Sequence, residues 1–460
     1  MRSLIVLACG VATASFGQKV ISEIPYKEEK QPLDYIYLPN QDKVVLIQGK
    51  HVNKVYQNEI QDIWAFDKDG FTQKLISNEK LANCVFSPIE TAFLIGKISD
   101  KNEFPKEYKL NLDGSSSNFF KISENFRYFN DIYGLSIVNQ KNNDKVDLKN
   151  DDLFLKVIDL FSGQSTQNKL VKPDLNKIEN KTTTTYSEGV NFDVRINEDN
   201  ISFITKSINK NYKSATIYRS VYDLNGTKIG DFSYLVDVPK YYLLFADNGG
   251  GSIIDAKSNK KLSELAINNY VIDKSTGHVY VFGIFGNEPK ELGENINIPL
   301  GVYVFKFDSK GKLIWESVQE VIDVRGFNQR QDISKINISL RVRKEEVFCS
   351  VNSNDLNYSD VLLIDNNTGQ KKIEHILKFT IDQSINSQNG IQSNCIIDQF
   401  KQFRIDKETL YFLNTSDSLQ KYMNSLDKTK PLFFKSYIAK KGFWLIETDN
   451  ASYSKVLFFS

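Results

Sequence analysis

Apolar and polar positions alternate through most of this chain, and the alternating runs end on one recurring phrase. It consists of an apolar run, an Asp, a short polar link, a Gly and a further run. The copies are Trp64-Ala65-Phe66-Asp67-Lys68-Asp69-Gly70, Leu110-Asn111-Leu112-Asp113-Gly114, Val157-Ile158-Asp159-Leu160-Phe161-Ser162-Gly163 and Val221-Tyr222-Asp223-Leu224-Asn225-Gly226. Two more are Phe305-Lys306-Phe307-Asp308-Ser309-Lys310-Gly311 and Leu363-Ile364-Asp365-Asn366-Asn367-Thr368-Gly369. The Asp side chain caps a tight turn and the Gly supplies a positive φ, so each copy predicts a β-hairpin. A hairpin cannot bury its apolar face alone. Its return at blade-like intervals predicts an all-β chain folded as a β-propeller.

The intervals between these Asp positions set the organisation. They are 46 residues (67 to 113), 46 (113 to 159), 64 (159 to 223), 85 (223 to 308) and 57 (308 to 365). The first two suit four-stranded blades. The third includes a polar stretch, 172–185, that reads as a long connection. The fourth is nearly two blades long and holds a degenerate copy of the turn at 252–259. Phe443-Trp444-Leu445-Ile446-Glu447 and Val456-Leu457-Phe458-Phe459 close the series, giving seven blades, with six and eight as the alternatives. Strand segments such as Val279–Gly283, Val302–Phe307 and Val361–Ile364 are rich in β-branched and aromatic residues. The alternating stretch Val20–Ile24 is expected to pair into the last blade and close the ring. One segment departs from period two. Leu419, Tyr422, Met423 and Leu426 follow i, i+3, i+4, i+7 spacing after Ser416-Asp417, which predicts a single short helical insertion over Ser418–Leu426.

The N-terminus reads as an export signal, residues 1–17. Arg2 is followed by the short apolar and small-residue run Leu4–Ala14, then Ser15-Phe16-Gly17, which places cleavage before Gln18. The run is shorter than the about 20 apolar residues that a membrane span needs. The alternatives are a lipoprotein box, Val6-Leu7-Ala8-Cys9, with Cys9 lipidated, and an uncleaved N-terminal strand. The Ser-Phe-Gly-Gln ending and the Lys-, Asn- and Ile-rich texture resemble exported proteins of Bacteroidota. Residues 18–460 are then one propeller, in the periplasm or outside the cell.

Removing Arg2 from 58 basic residues leaves 57 against 57 acidic ones. A neutral chain with no basic block lacks the footprint of nucleic-acid binding. Cleavage also leaves three cysteines, Cys84, Cys349 and Cys395. Cys349 and Cys395 read as small buried strand residues, the alternative being a bridge between them.

Along Val304-Phe305-Lys306-Phe307-Asp308-Ser309-Lys310-Gly311-Lys312-Leu313-Ile314-Trp315 the chain resembles the repeat of quinoprotein-like propellers, where the Asp-to-Gly turn is followed by Trp. The copy at Asp365–Gly369 is similar but has Lys372-Ile373 in place of the Trp. The resemblance implies the propeller fold. It does not carry over quinone enzymology, which uses an adjacent Cys pair that this sequence lacks.

Candidate chemistry is sparse. His51, His278 and His375 are isolated from other ligand types, so no metal is expected, and His278 reads as a turn-flanking residue that opens a strand. No nucleophile elbow or phosphate loop is present. Asn248-Gly249-Gly250-Gly251-Ser252 reads as a turn or bulge. Asp67-Lys68-Asp69-Gly70 begins like a calcium loop but continues Phe71-Thr72-Gln73-Lys74, without its closing Glu. Asp67, Asp113, Asp159, Asp223, Asp308 and Asp365 share one structural role, so no catalytic residue is assigned and no cofactor is expected. Aromatic residues, 12% of the chain with pairs at Phe119-Phe120, Tyr241-Tyr242 and Phe433-Phe434, are expected between blades. These readings favour an exported binding or scaffold propeller that engages protein or glycan of the cell envelope through loops at one end of the ring. The alternative is a propeller enzyme, a glycan hydrolase or lyase, with acids at the central channel.

Overall fold

In the computed structural model, successive antiparallel meanders follow one another along the chain. It describes residues 18–460 apart from 26–30, 39–40, 53–56, 71, 77–80, 87–91, 98–105, 112–127, 130–132, 143–149, 160–163, 174–192, 197–198, 209–212, 245–269, 274, 287–298, 322–335, 354–357, 379, 382–394, 397–399, 401 and 450–451. The leader, the turn at Asp113, the pair Phe119-Phe120, the turn-like stretch 252–259 and the glycine run 248–252 lie outside the described residues.

Strand β1 is Gln18–Pro25. The first sheet then runs through β2 (Gln31–Leu38), β3 (Lys43–Val52), β4 (Gln57–Asp67) and β5 (Thr72–Ile76), and continues into β6 (Leu81–Phe86), β7 (Ala92–Lys97) and β8 (Lys106–Asn111). Among the described residues, Ile60 opposite Leu81 is the one pair that joins the two halves. The second sheet holds β9 (Tyr128–Phe129), β10 (Tyr133–Asn139), β11 (Leu153–Asp159) and β12 (Ser165–Leu170). The third holds β13 (Asp193–Ile196), β14 (Ile201–Ile208), β15 (Ser214–Tyr222) and β16 (Lys228–Asp237). The fourth holds β17 (Tyr242–Leu244), β18 (Tyr270–Ile272), β19 (Val279–Gly286), β20 (Pro299–Phe307) and β21 (Leu313–Glu320). The fifth holds β22 (Ile336–Val342), β23 (Glu346–Ser353), β24 (Tyr358–Asp365) and β25 (Lys371–Lys378). The sixth begins with β26 (Thr380–Ile381), β27 (Cys395–Ile396) and β28 (Phe403–Ile405). Helices α1 (Lys407–Thr415) and α2 (Asp417–Ser425) follow, then β29 (Leu432–Ile438), β30 (Phe443–Thr448) and β31 (Tyr453–Phe459).

This is a β-propeller, and the recurring phrase has one place in it. It joins β4 to β5, β11 to β12, β15 to β16, β20 to β21 and β24 to β25, each time the last hairpin of a meander. The predicted turn chemistry is present. Asp67, Asp223, Asp308 and Asp365 each accept, at Oδ1, the backbone N–H two residues on, at 2.7 to 2.9 Å. Gly369 lies at φ 74°, and a Cβ there would sit 2.8 Å from the Trp315 ring. The residue must therefore be Gly for two reasons: backbone conformation and the approach of the neighbouring sheet. A further copy, Asp273 to Gly277, joins β18 to β19 and so opens its meander instead of closing it.

Consecutive sheets pack face to face. Tyr280, Ile284 and Val302 meet Val347 and Leu362 between the fourth and fifth sheets, and Phe348 and Val361 meet Phe434 and Leu445 between the fifth and sixth. Trp444, Ile446 and Val456 of the sixth sheet pack on Val44, Leu46 and Phe66 of the first. Each such side chain contributes about 1.5–3 kcal/mol by leaving water. The expected pairing of the N-terminal strand is present: β1 runs antiparallel to β31, from Gln18 opposite Phe459 to Pro25 opposite Tyr453.

The helical insertion differs from expectation in one respect. Helix α2 spans Asp417–Ser425 with Ser416 as N-cap, close to the expected Ser418–Leu426, but α1 precedes it, so the insertion is two helices. They form a crossover between β28 and β29, which pair in parallel, as a parallel pair requires. Asp406 anchors the crossover. It is buried, and its carboxylate accepts Thr409 N at 2.8 Å, Thr409 Oγ1 at 2.6 Å and Ser436 N of β29 at 3.2 Å. Asp406→Ala removes a helix cap and leaves the Ser436 amide unpaired, an expected cost of about 3 kcal/mol in urea unfolding, whereas Asp406→Asn keeps most of the bonds. Among the described residues, no helix is long and apolar enough to cross a membrane.

Candidate functional site

Both the opening and closing turns of a meander fall at the same end of the propeller, because Val279 lies opposite Phe307 and Glu346 opposite Asp365. At this end, four sheets send residues into one cavity of about 520 Å³. The first sheet contributes Tyr37, and the fourth contributes Asp273, His278, Tyr280 and Lys306. Arg343, Lys344 and Asn366 come from the fifth, and Ile438, Ala439 and Lys440 from the sixth.

Asn366 holds the wall together. Its side-chain nitrogen donates to the carbonyls of Arg343 (2.7 Å) and Lys344 (3.2 Å). Its Oδ1 accepts the Tyr280 hydroxyl at 2.7 Å and Lys306 Nζ at 3.0 Å. Its backbone carbonyl accepts Lys306 Nζ and Trp315 Nε1, both at 2.8 Å. Lys306 is buried, 6% exposed, and burial lowers its pKa, opposed by the charges of Asp273 and Asp365. Trp315 therefore joins two sheets by donating to the next turn.

Asp273 belongs to its own turn. Oδ1 accepts Ser275 N at 3.0 Å and Ser275 Oγ at 2.8 Å, and Oδ2 accepts Thr276 Oγ1 at 2.7 Å. Burial disfavours its charge, yet these hydrogen bonds and the neighbouring His278 outweigh burial and hold the carboxyl below its usual pKa. His278 closes the same turn. Its carbonyl accepts Asp273 N at 2.9 Å, its amide donates to Thr276 Oγ1, and its buried Nδ1 has no partner among the described residues. Arg343 donates from Nη2 to Gly442 O at 2.8 Å, and its guanidinium lies 4.9 Å from the Phe348 ring centre, while its buried Nε has no partner among the described residues.

The sequence-stated residues are distributed unevenly. His278 reaches the cavity as the turn-flanking residue expected. Asp67, Asp223, Asp308 and Asp365 serve their turns, and Asp365 is further held by Lys372 Nζ at 3.0 Å, which takes its pKa down to about 2. Asp159 holds its turn by its backbone, donating to Gln164 O at 2.9 Å. Cys349 is a buried free thiol whose pKa burial pushes up. His51, His375, Cys84 and Cys395 lie on β3, β25, β6 and β27, with side chains outside the described residues. Lys306, Arg343, Lys344 and Lys440 were not picked out by motif. The one available signal was Lys306, a lone charge inside the apolar run Val302–Phe307. Among the described residues, no three His, Cys, Asp or Glu side chains cluster as metal ligands would.

No protein-family model matches the chain, and no curated protein matches it. Among solved structures, it is similar to the β-propeller domain of the Trilobed protease from Pyrococcus furiosus. The identity is 11% and the TM-score 0.33, over 78% of this chain and 88% of that one. It is also similar to dipeptidyl peptidase 4 of Porphyromonas gingivalis, at 10% identity and TM-score 0.34, over 91% of this chain and 57% of that one. The WD40 domain of SCAP from fission yeast is 8% identical with a TM-score of 0.29, over 96% and 94% of the two chains.

Proposed function

We propose that the chain is an exported, non-catalytic binding propeller that engages a component of the cell envelope at the end where its meander turns converge. The observation that carries this reading is the convergence of four sheets on one cavity. Binding sites form where loops meet on a rigid scaffold. The engagement of both Asp273 oxygens by Ser275 and Thr276 supports binding over a hydrolase or lyase, whose acid needs an oxygen facing substrate. The same reading takes the propeller as seven-bladed and closed by β1, with the first sheet counted as two blades at the single Ile60–Leu81 pair. Export rests on the leader, with cleavage before Gln18.

A photo-cross-linking amino acid at Lys440, on the cavity rim, or at Gln167, on the exposed strand β12, tests this in protein recovered from cells expressing the full chain. Adducts at position 440 but not 167, on a mature chain that mass spectrometry starts at Gln18, are the expected result. An intact Met1 removes the export reading, and a lipidated Cys9 replaces it with an envelope lipoprotein. Equal adducts at both positions, or none at 440, remove the binding face.

A further inference from the structure

We propose that the cavity at the turn end takes an acidic peptide segment. This rests on the reading of that end as a binding face, and adds the chemistry of what binds there.

The charge of the lining is one-sided although the chain as a whole is close to neutral. Lys306, Arg343, Lys344 and Lys440 face a single carboxylate among the described lining residues, that of Asp273. That carboxylate accepts three hydrogen bonds from its own turn and its charge acts on the buried Lys306, so the positive charge left over is that of Arg343, Lys344 and Lys440. The acids that follow Lys344 in sequence do not line the cavity: Glu346 Oε1 lies 4.0 Å from Lys372 Nζ on β25, though its charge also acts on Arg343, and Glu345 acts on Lys372. Arg343 commits Nη2 to Gly442 O, which fixes its guanidinium in the wall as a positive charge beside the cavity.

The apolar part of the lining separates a peptide from a glycan. Sugars are held on bare aromatic faces, and of the two lining rings one is buried and the other has a face covered. Tyr280 is fully buried, edge-on to Trp315 at 6.1 Å, and Tyr37 is stacked on Tyr437 at 5.7 Å. Val342, Ile438 and Ala439 instead provide small aliphatic surface beside the cations. That combination suits a peptide whose carboxylates meet the basic groups and whose short side chains lie on the aliphatic patch.

The test uses the full mature chain and fluorescence anisotropy of a fluorescein-labelled hexapeptide of alternating Glu and Ala. Its counterparts with Gln or Lys in place of Glu serve as controls, and trigalacturonate as a glycan competitor. The Glu peptide is expected to bind saturably, at least about tenfold more tightly than the Gln peptide, and to weaken several-fold as salt rises from about 50 to about 300 mM. The double substitution Lys344→Glu with Lys440→Glu lies on exposed positions and is expected to weaken binding at least about tenfold while leaving the unfolding midpoint in place. Equal binding of Glu and Gln peptides, or an unaltered affinity in the double variant, overturns the proposal. Tighter binding of trigalacturonate than of the peptide also overturns it, in favour of an acidic glycan. Adducts at position 440 with a partner that is not acidic defeat this proposal and leave the binding face standing, whereas absence of both defeats the two together.

Discussion

Asn366→Ala is expected to destabilise the propeller by about 4 kcal/mol, the largest loss of any single side chain at the turn end. The residue is 4% exposed, and truncation removes four hydrogen bonds at once: two to the carbonyls of Arg343 and Lys344, one from Tyr280 and one from Lys306. Each buried partner left unpaired costs about 1–3 kcal/mol, and the ammonium of Lys306 is the most expensive of them. Lys306 keeps only the backbone carbonyl of position 366. The bonds cross from the fourth sheet to the fifth, so their loss loosens the packing of two blades as well as the cavity wall. A double-mutant cycle isolates this. Lys306→Met alone removes the buried charge, and Asn366→Ala in that background is expected to cost at least about 1 kcal/mol less than in the native chain. Urea unfolding followed by tryptophan fluorescence reads both values, since Trp315 donates to the same turn. A cost below about 1 kcal/mol for Asn366→Ala would remove the network from any account of how the sheets are joined. Because Asn366 fixes the Arg343 and Lys344 carbonyls, its loss is also expected to weaken peptide binding.

What the sequence reveals of this arrangement follows from how local each feature is. The Asp-to-Gly turns are legible because the Asp oxygen and the positive-φ Gly act within five residues, and five of the six expected hairpins are present, the copy at Asp113 lying outside the described residues. The helix at Asp417–Ser425 was legible because only one of its faces is buried, so its apolar residues keep helical spacing. Its neighbour α1 was not. Leu410, Tyr411, Phe412 and Leu413 are all buried, so the helix presents a continuous apolar run that carries no period and reads equally well as strand. The Asp273 turn is less legible because it opens a meander, out of step with the other copies. The cavity was the least legible feature. Tyr37 and Lys440 come together only because β1 and β31 pair and the sixth sheet packs on the first, and nothing local in either segment encodes that meeting. The aspartates that the repeat makes conspicuous are turn residues, while of the cations that line the cavity Lys306 lies inside a copy of the repeat and Arg343, Lys344 and Lys440 lie in other turns that carry no copy of it.

The second large effect is a pH dependence set by Asp360. This residue lies on β24, opposite Val351 of β23 and Ile376 of β25, on the face that carries Leu362 and Ile364 into the cluster between the fourth and fifth sheets. It is 1% exposed, and neither side-chain oxygen has a hydrogen-bond partner among the described residues. Burial disfavours the carboxylate, the charge of Glu374 adds to this, and Lys371 opposes it only in part, so the pKa is pushed up to about 7. In the unfolded chain, the group titrates at about 3.9. Between these values the folded state holds a proton that the unfolded state has released, so stability falls as pH rises. The contribution is fully present below about pH 4 and is lost as pH rises through 7, with a total of at most about 4 kcal/mol. Asp360→Asn cannot ionise. It is therefore expected to match the native chain near pH 4 and to exceed it by about 3 kcal/mol at pH 8, a substitution that stabilises at neutral pH by removing a buried charge. Other titrating groups, Asp406 among them, are common to both proteins and cancel in the difference. Urea unfolding of the two at pH 4.5, 6 and 8 decides the matter: stability curves that stay parallel across this range would show that the Asp360 carboxylate is not the group that titrates.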